Sequence, residues 1–128
     1  MSTVTSPLVA IAQRAATALV AAIGGNSAVV ISTADGFDLA HAGERAVEPA
    51  RFAAMMSSFA AVGAAASEEA EIGLPRCMVV DSTQGRLVVR RMQVGGEQIA
   101  VMLLTDRSVL LGLAWNHLSA IELSMGKT

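Results

Sequence analysis

The sequence predicts an α/β (more narrowly α+β) domain in which three helices and five strands follow the order α-β-β-α-β-β-β-α. Three segments place apolar residues on one face at helical spacing, and five shorter segments alternate or are rich in β-branched residues. Glycine, proline or Asp-Gly separates these segments. The 128 residues predict a single domain, residues 1–128 with a core over about 6–125, because two halves would be too small for separate hydrophobic cores.

The first third of the chain predicts a helix followed by a β-hairpin. Ser6-Pro7 begins the helix, because a hydroxyl can cap its free N–H groups and proline fits the first helical position. Gly24-Gly25 ends it, since glycine adopts the left-handed cap conformation readily. Residues 28–32 and 37–41 then form two predicted strands on either side of Asp35-Gly36, a strong hairpin-turn signal.

The rest of the chain predicts a long helix, three strands and a last helix. The second helix runs from Pro49 to about residue 71 and ends before Gly73-Leu74-Pro75, because proline cannot continue a helix. An unbroken apolar run over 99–104 indicates a strand buried on both faces, and hence a central position in the sheet. The remaining predicted elements are strands at 77–81, 86–94 and 98–104 and a helix at about 109–125.

Composition argues against several classes of function. Nine basic and eleven acidic residues give a net charge of −2, and only 3% of the residues are aromatic, so neither a basic surface nor a stacking platform for nucleic acid is expected. The single cysteine, Cys77, cannot form an internal disulfide, which fits a reducing, cytoplasmic compartment. No apolar run reaches the roughly 18 residues of a membrane span, so none is expected. No Lys or Arg precedes the first apolar helix and Arg14 interrupts it, so no signal peptide is expected.

The second helix lacks the charged outer stripe of an ordinary surface helix. The sixteen residues between Arg51 and Glu68 carry no charge over more than four turns. Alanine is a good helix former, which is one explanation; the other is that small side chains let a partner helix approach closely. We expect the sheet-facing side to be Phe52, Met55, Met56, Phe59, Val62, Gly63 and Ala66, and the opposite side to be Ala53, Ala54, Ser57, Ala60, Ala61, Ala64 and Ala65.

The third strand gives an independent indication of a partner. At a sheet edge, its apolar row would leave backbone groups unpaired, with only Pro75, Arg76 and Asp81 beside it to discourage association. Pairing with the same strand of a second chain would satisfy those groups; an interior position or a covering loop is the alternative. The residues expected at a dimer or partner interface are Ala54, Ser57, Ser58, Ala61, Ala64, Ala65, Glu68, Cys77, Met78, Val79 and Val80.

The sequence contains no pattern typical of a catalytic, metal or phosphate site. His41 and His117 lie far apart without Cys, Asp or Glu at ligand spacing, and the glycine pairs lack the pattern of a phosphate-binding loop. We therefore expect no enzyme activity, no metal and no cofactor, and Cys77 is expected to be a small core residue. One basic cluster is interpreted as a solvated face, with local ion pairs or an acidic partner as alternatives: Arg86, Arg90 and Arg91.

The element order and two segments resemble the roadblock family over about residues 6–125. The segments are AVVISTADGFDLA in the first hairpin and LGLAWNHLSAI in the last helix, together with the uncharged, alanine-rich second helix. The resemblance implies a profilin-like sheet of five antiparallel strands, with helix two on one face and helices one and three on the other. It also implies a dimer in which two third strands join the sheets and two second helices lie side by side.

The resemblance further implies a function without catalysis. Members of the family act as partners of small Ras-like GTPases, as regulators or scaffolds, or as light chains of dynein motors, and the lysine-poor composition favours a bacterial member. We therefore expect a cytoplasmic homodimer that binds a Ras-like GTPase in a bacterial signalling or polarity module, with Arg51, Arg86 and Arg90 as candidate contacts. The alternatives are a small-molecule-sensing domain and a purely structural dimerisation subunit.

Overall fold

The computed structural model describes residues 6–45 and 47–126, and the elements follow the predicted order. The helices are α1 (Ser6–Ile23), α2 (Pro49–Glu69) and α3 (Leu111–Gly126). The strands are β1 (Ala28–Thr33), β2 (Asp38–Gly43), β3 (Cys77–Asp81), β4 (Gly85–Val94) and β5 (Glu97–Asp106). Every predicted boundary lies within two residues of the observed one.

The five strands form one antiparallel sheet in the order β2-β1-β5-β4-β3. β5 is central, and its Leu103 lies between Val29 of β1 and Val88 of β4. Ile99 to Leu103 are all buried, which confirms the position predicted from the apolar run. β3 lies at one edge of the sheet and β2 at the other, so the edge position that the sequence left open is the observed one.

Helices cover both faces of the sheet, as predicted. α1 and α3 lie on one face, where Leu19 and Leu118 are fully buried in a core that includes Ile31 and Val101. α2 lies on the other face and contributes to a smaller core. The buried residues of that smaller core are Val30, Ala53, Met56, Val89, Ala100 and Met102.

α3 begins at Leu111, two residues later than predicted. The Asp106 carboxylate accepts hydrogen bonds from the Ser108 hydroxyl and from the Ser108 N–H, the latter at 2.9 Å. These bonds, led by the one from the hydroxyl, lower the pKa of Asp106. Val109, predicted to be helical, instead precedes α3 as a buried residue of the turn. The side-chain bonds at Asp106 thus hold a turn before the first residue of α3.

α1 is long and apolar enough to meet the length and composition of a membrane-spanning helix, although Arg14 interrupts it. The expectation that no segment reaches that limit was therefore too strict. In the structure, one face of α1 packs against the sheet and α3, as in a core helix of a globular domain. The buried residues of that face are Leu8, Ala12, Ala15, Ala16 and Leu19.

Candidate protein-interaction surface

The outer face of α2 carries no charge between Arg51 in its first turn and Glu68 in its last turn. Ala54, Ser58, Ala61 and Ala65 are all exposed, and Glu68 is exposed where the charge-free stretch ends. The face therefore presents small side chains over several helical turns. Small side chains allow the backbone of a second helix to approach closely. This arrangement is typical of a helix that packs on both sides.

Ser57 and Ala64, the other two predicted interface residues on α2, are half-buried at the margin of this face. The Ser57 hydroxyl donates a 3.4 Å hydrogen bond to the carbonyl of Ala34, in the turn between β1 and β2. Ser57 is thus directed in part toward its own chain. A partner helix would meet these two residues only along its edge.

The side of α2 that faces the sheet was predicted correctly only in part. Met55 and Val62 are 55% and 66% exposed, and Ala66 is exposed as well, whereas Ala53 and Ala60 are 0% and 8% exposed. Met56 is buried, and Phe52 and Phe59 pack against the same core, as predicted. Small alanines between them let the helix backbone lie close to the sheet. The outer face is consequently more apolar than the sequence suggested.

Close contacts at two glycines show where α2 crosses the sheet. Gly36, in the turn between β1 and β2, has a φ of 96°, and a Cβ there would lie 3.1 Å from the Cβ of Ser57. Gly63 lies over β3, where a Cβ would be 2.5 Å from the Sδ and Cε of Met78. α2 therefore crosses from the first hairpin to the edge strand β3. The last turns of α2 come after the point at which it reaches β3.

β3 supplies the second part of the surface. It pairs with β4 on one side, and the described residues place no strand on its other side. Val79 and Val80 are 41% and 37% exposed, and Cys77 and Met78 are half-buried. Burial raises the pKa of the Cys77 thiol, partly opposed by the charge of Arg90. The outer face of α2 and the free edge of β3 together form one continuous apolar surface, which we call the α2–β3 surface.

Two of the three candidate arginines make contacts within the chain. Arg90 lies 4.3 Å from the ring centre of Trp115, pairs with Glu122 at 2.6 Å and donates to the Ser119 hydroxyl at 2.8 Å. Arg86 donates to the carbonyl of Val109 at 2.8 Å. The interpretation of these arginines as a solvated face is therefore wrong, and local ion pairing, which the sequence left as an alternative, is what the structure shows.

Arg51 lies exposed in the first turn of α2, and Arg91 is half-buried beside Cys77 and Met78. A second cation at Trp115 was not predicted: Arg76 lies 5.5 Å from the same ring centre. The strand alternation of β4 identified the face of Arg90, but the loop position of Arg76 gave no periodic signal. The aromatic cluster therefore joins β4, α3 and the residue that precedes β3.

The described residues offer open grooves and little enclosed space. No group of three or more His, Cys, Asp or Glu in residues 6–45 and 47–126 is arranged to hold a metal ion. The space between Ala60, Met78 and Val89 measures about 10 Å³, around the lower limit for one water molecule. A groove of about 210 Å³ lies between α1 and α3, and one of about 320 Å³ lies beside the turn between β3 and β4.

Comparison with known proteins finds similarity in structure. No protein-family model and no curated protein matches the sequence. Myxococcus xanthus MglB has a TM-score of 0.83 at 12% identity, over 98% of this chain and 92% of that one. A Roadblock/LC7 domain from Streptomyces avermitilis has a TM-score of 0.77 at 18% identity, over 88% and 92%. Acanthamoeba castellanii profilin IB has a TM-score of 0.57 at 12% identity, over 90% and 94%.

These similarities agree with the topology. The five-stranded antiparallel sheet, with α2 on one face and α1 and α3 on the other, is the predicted profilin-like arrangement, and a profilin is among the similar structures. MglB and the Roadblock/LC7 domain match it more closely and over nearly the whole chain. The chain therefore has the roadblock fold, and the predicted resemblance is confirmed at the level of that fold.

Proposed function

We propose that this protein is a dimeric, non-enzymatic regulator or scaffold of a small Ras-like GTPase in the cytoplasm of a bacterium. The observation that carries the proposal is the α2–β3 surface, since an uncharged helix face continuous with a free apolar strand edge is unusual on a monomer. The resemblance to the roadblock family supports the kind of partner. Bacterial members of that family pair with such GTPases.

The geometry of the α2–β3 surface supports a homodimer. Two β3 strands that pair antiparallel would satisfy each other's free backbone groups and extend the sheet across both copies. A twofold axis perpendicular to the sheet would place both α2 helices on the same side, with Ala61 and Ala65 between them. The exposed Met55 and Val62 add apolar area to this contact.

Sedimentation of helix variants tests the dimer. Ala61→Glu or Ala65→Glu would bury a carboxylate opposite its own copy, which is costly for both copies, so we expect monomers at concentrations where the natural chain is dimeric. Ala21→Glu, at an exposed position of α1, is the matched control and should remain dimeric. If the α2 variants sediment as the natural chain does, the helix contact is wrong.

The proposed effect on the GTPase is selective binding of one nucleotide state. A protein that binds the GTP-bound state better than the GDP-bound state, or the reverse, shifts the population of the switch without taking part in the chemistry. Arg51 remains a candidate contact, because it is exposed at the start of α2. Arg86 and Arg90 would first have to leave their partners in this chain, so we place them second as GTPase contacts.

A pull-down in two nucleotide states tests the GTPase. The tagged protein is incubated with cytosol of its source containing either GDP or a GTP analogue, and retained proteins are identified by mass spectrometry. We expect a Ras-like GTPase that is retained in one state and reduced by Arg51→Glu. Recovery of the tagged protein alone in both states would contradict the GTPase partner and leave the small-molecule-sensing domain and the structural dimerisation subunit as alternatives.

A further inference from the structure

We propose that, in the dimer, the end of α2 and the loop after it in one copy cover an open groove on the sheet of the other copy. This inference rests on the proposed homodimer and names a second contact within it. The covering segment is residues 64–74. The groove, which we call the turn groove, has a volume of about 320 Å³ and is lined by Arg45, Ser82, Thr83, Gln84, Gly85, Arg86, Leu87 and Leu104.

The turn groove lies on the α2 side of the sheet, at a corner that the chain's own α2 leaves open. Leu87 packs with the α2-side core, and Leu104 continues the alternation of Ala100 and Met102, which belong to the same core. Leu104 is only half-buried, because α2 crosses nearer the opposite ends of these strands. An apolar floor is therefore exposed beside the edge strand.

The end of α2 extends past that edge strand. Contacts at Ser57 and Gly63 show that the helix crosses from the first hairpin to β3, and six further residues carry it to Glu69. At 1.5 Å per residue those residues span about 9 Å, roughly two strand spacings. Ile72 and Leu74, in the loop that follows, are 75% and 81% exposed. The overhanging segment thus offers apolar side chains where a second copy would begin.

The strand register brings the overhanging segment to the level of the turn groove. Pairing two β3 strands about Val79 places Met78 opposite Val80 and leaves Pro75, which lacks an N–H, outside the paired residues. In this register Arg76 lies opposite Ser82 of the second copy, and Leu74 lies level with its Gln84. Ser82 and Gln84 belong to the rim of the turn groove. The segment and the groove are therefore on the same face and at the same height.

The charges of the two parts are complementary. Glu68, Glu69 and Glu71 cluster at the carboxyl end of α2, where the helix dipole disfavours negative charge, and the last turn contains no basic residue. Arg45 lines the turn groove, where its Nε donates to the carbonyl of Asn26 at 2.8 Å and its charge helps to lower the pKa of Asp106. A second copy would supply the cation that this helix end lacks.

Charge reversal tests the contact. Arg45→Glu, and separately Glu68→Lys with Glu69→Lys, should each raise the dimer dissociation constant about fivefold or more, because attraction becomes repulsion. The combination of all three substitutions should return the constant to within about twofold of the natural value. Lysine at the carboxyl end of α2 favours the helix itself, so a loss of dimer there is not a loss of folding. Arg14→Glu on the exposed side of α1 is the control and should leave the constant unchanged.

Cross-linking provides a second test that does not depend on charge. In a Cys77→Ser background, Leu74→Cys and Gln84→Cys should form a disulfide between copies under mild oxidation, since the register places these positions side by side. Leu74→Cys with Leu123→Cys should not cross-link. A natural chain that is monomeric would overturn the homodimer and this inference together. A dimer that ignores the charge reversals and does not cross-link would overturn this inference alone.

Discussion

The two faces of the sheet are covered in different ways. On one face, α1 and α3 bury large side chains such as Leu19 and Leu118 completely. On the other, α2 buries only Ala53, Met56 and Ala60 of its 21 residues. The difference shows that α2 contributes comparatively little to its own chain's core, while its opposite side stays apolar. A helix with that balance would gain stability from a partner on its outer face.

The largest expected effect is in the α1–α3 layer. Leu118→Ala removes a fully buried side chain and should lower the free energy of unfolding by about 3 kcal/mol. Leu123→Ala, on the same helix but 67% exposed, should change it by less than about 0.5 kcal/mol. Urea denaturation of both variants measures the contrast. Equal losses would mean that the outer side of α3 is also covered.

A smaller effect is expected for the two neighbouring methionines of α2. In the Ala61→Glu background, expected to be monomeric, Met56→Ala should cost about 2 kcal/mol of unfolding free energy and Met55→Ala close to none, because only Met56 is buried. In the dimer, Met55→Ala should instead weaken association. Denaturation in the monomeric background and sedimentation in the natural one separate the two roles. A cost for Met55→Ala in the monomer would show that its exposure is wrong.

The aromatic cluster at Trp115 should contribute less to the free energy of unfolding than the buried side chains of Leu118 and Met56. Arg90→Ala removes the stack on Trp115 and leaves Glu122 without its cation, at an expected cost of about 1.5 kcal/mol. Arg90→Lys keeps the charge but not the planar group, so it should recover only part of that loss. Thermal unfolding compares these variants with Arg51→Ala, an exposed control. If Arg90→Lys were as stable as the natural chain, stacking on Trp115 would not contribute to stability.

The smallest effect concerns Asp106 and is visible only through pH. Its pKa is lowered from 3.8, chiefly by the hydrogen bond from the Ser108 hydroxyl, so its contribution to stability is present above that value and is lost as the pH falls through the lowered pKa. The free energy of unfolding of Asp106→Asn should therefore be lower than that of the natural chain at neutral pH. In acid the two values should converge. Unfolding curves at pH 7 and pH 3 measure this. A difference in unfolding free energy that grows in acid would contradict the assigned direction of the pKa shift.

Local chemistry explains why most of the fold could be predicted from the sequence. Turns at Asp35-Gly36 and Gly73-Leu74-Pro75 separate the elements, and the apolar run of β5 marks the centre of the sheet. The edge position of β3 was not predictable in this way, because the pairing of distant strands leaves no local signal. The same limit applies to the cation at Trp115, which depends on a loop residue, Arg76, meeting α3.

The face of α2 was the main error, and its cause is physical. Ranking side chains by hydrophobic size correctly placed Met56 inward but also placed Met55 and Val62 there, whereas the sheet also receives Ala53 and Ala60. On a helix rich in alanine, hydrophobic size alone does not identify the side that contacts the sheet. The predicted interface residues on α2 are nevertheless exposed or half-buried, since the outer face of this helix is wide.

The strand order also limits how far assembly can proceed. A dimer formed at β3 uses the same edge of both copies, and the joined sheet then ends in β2 on both sides. The pairing of β2 with β1 is irregular between Ile31 and Ser32, α1 packs along β2, and Asp38 is exposed on it. Such an edge discourages further strand addition. In the proposed dimer, growth by strand pairing would therefore close at two copies and would not continue into a filament.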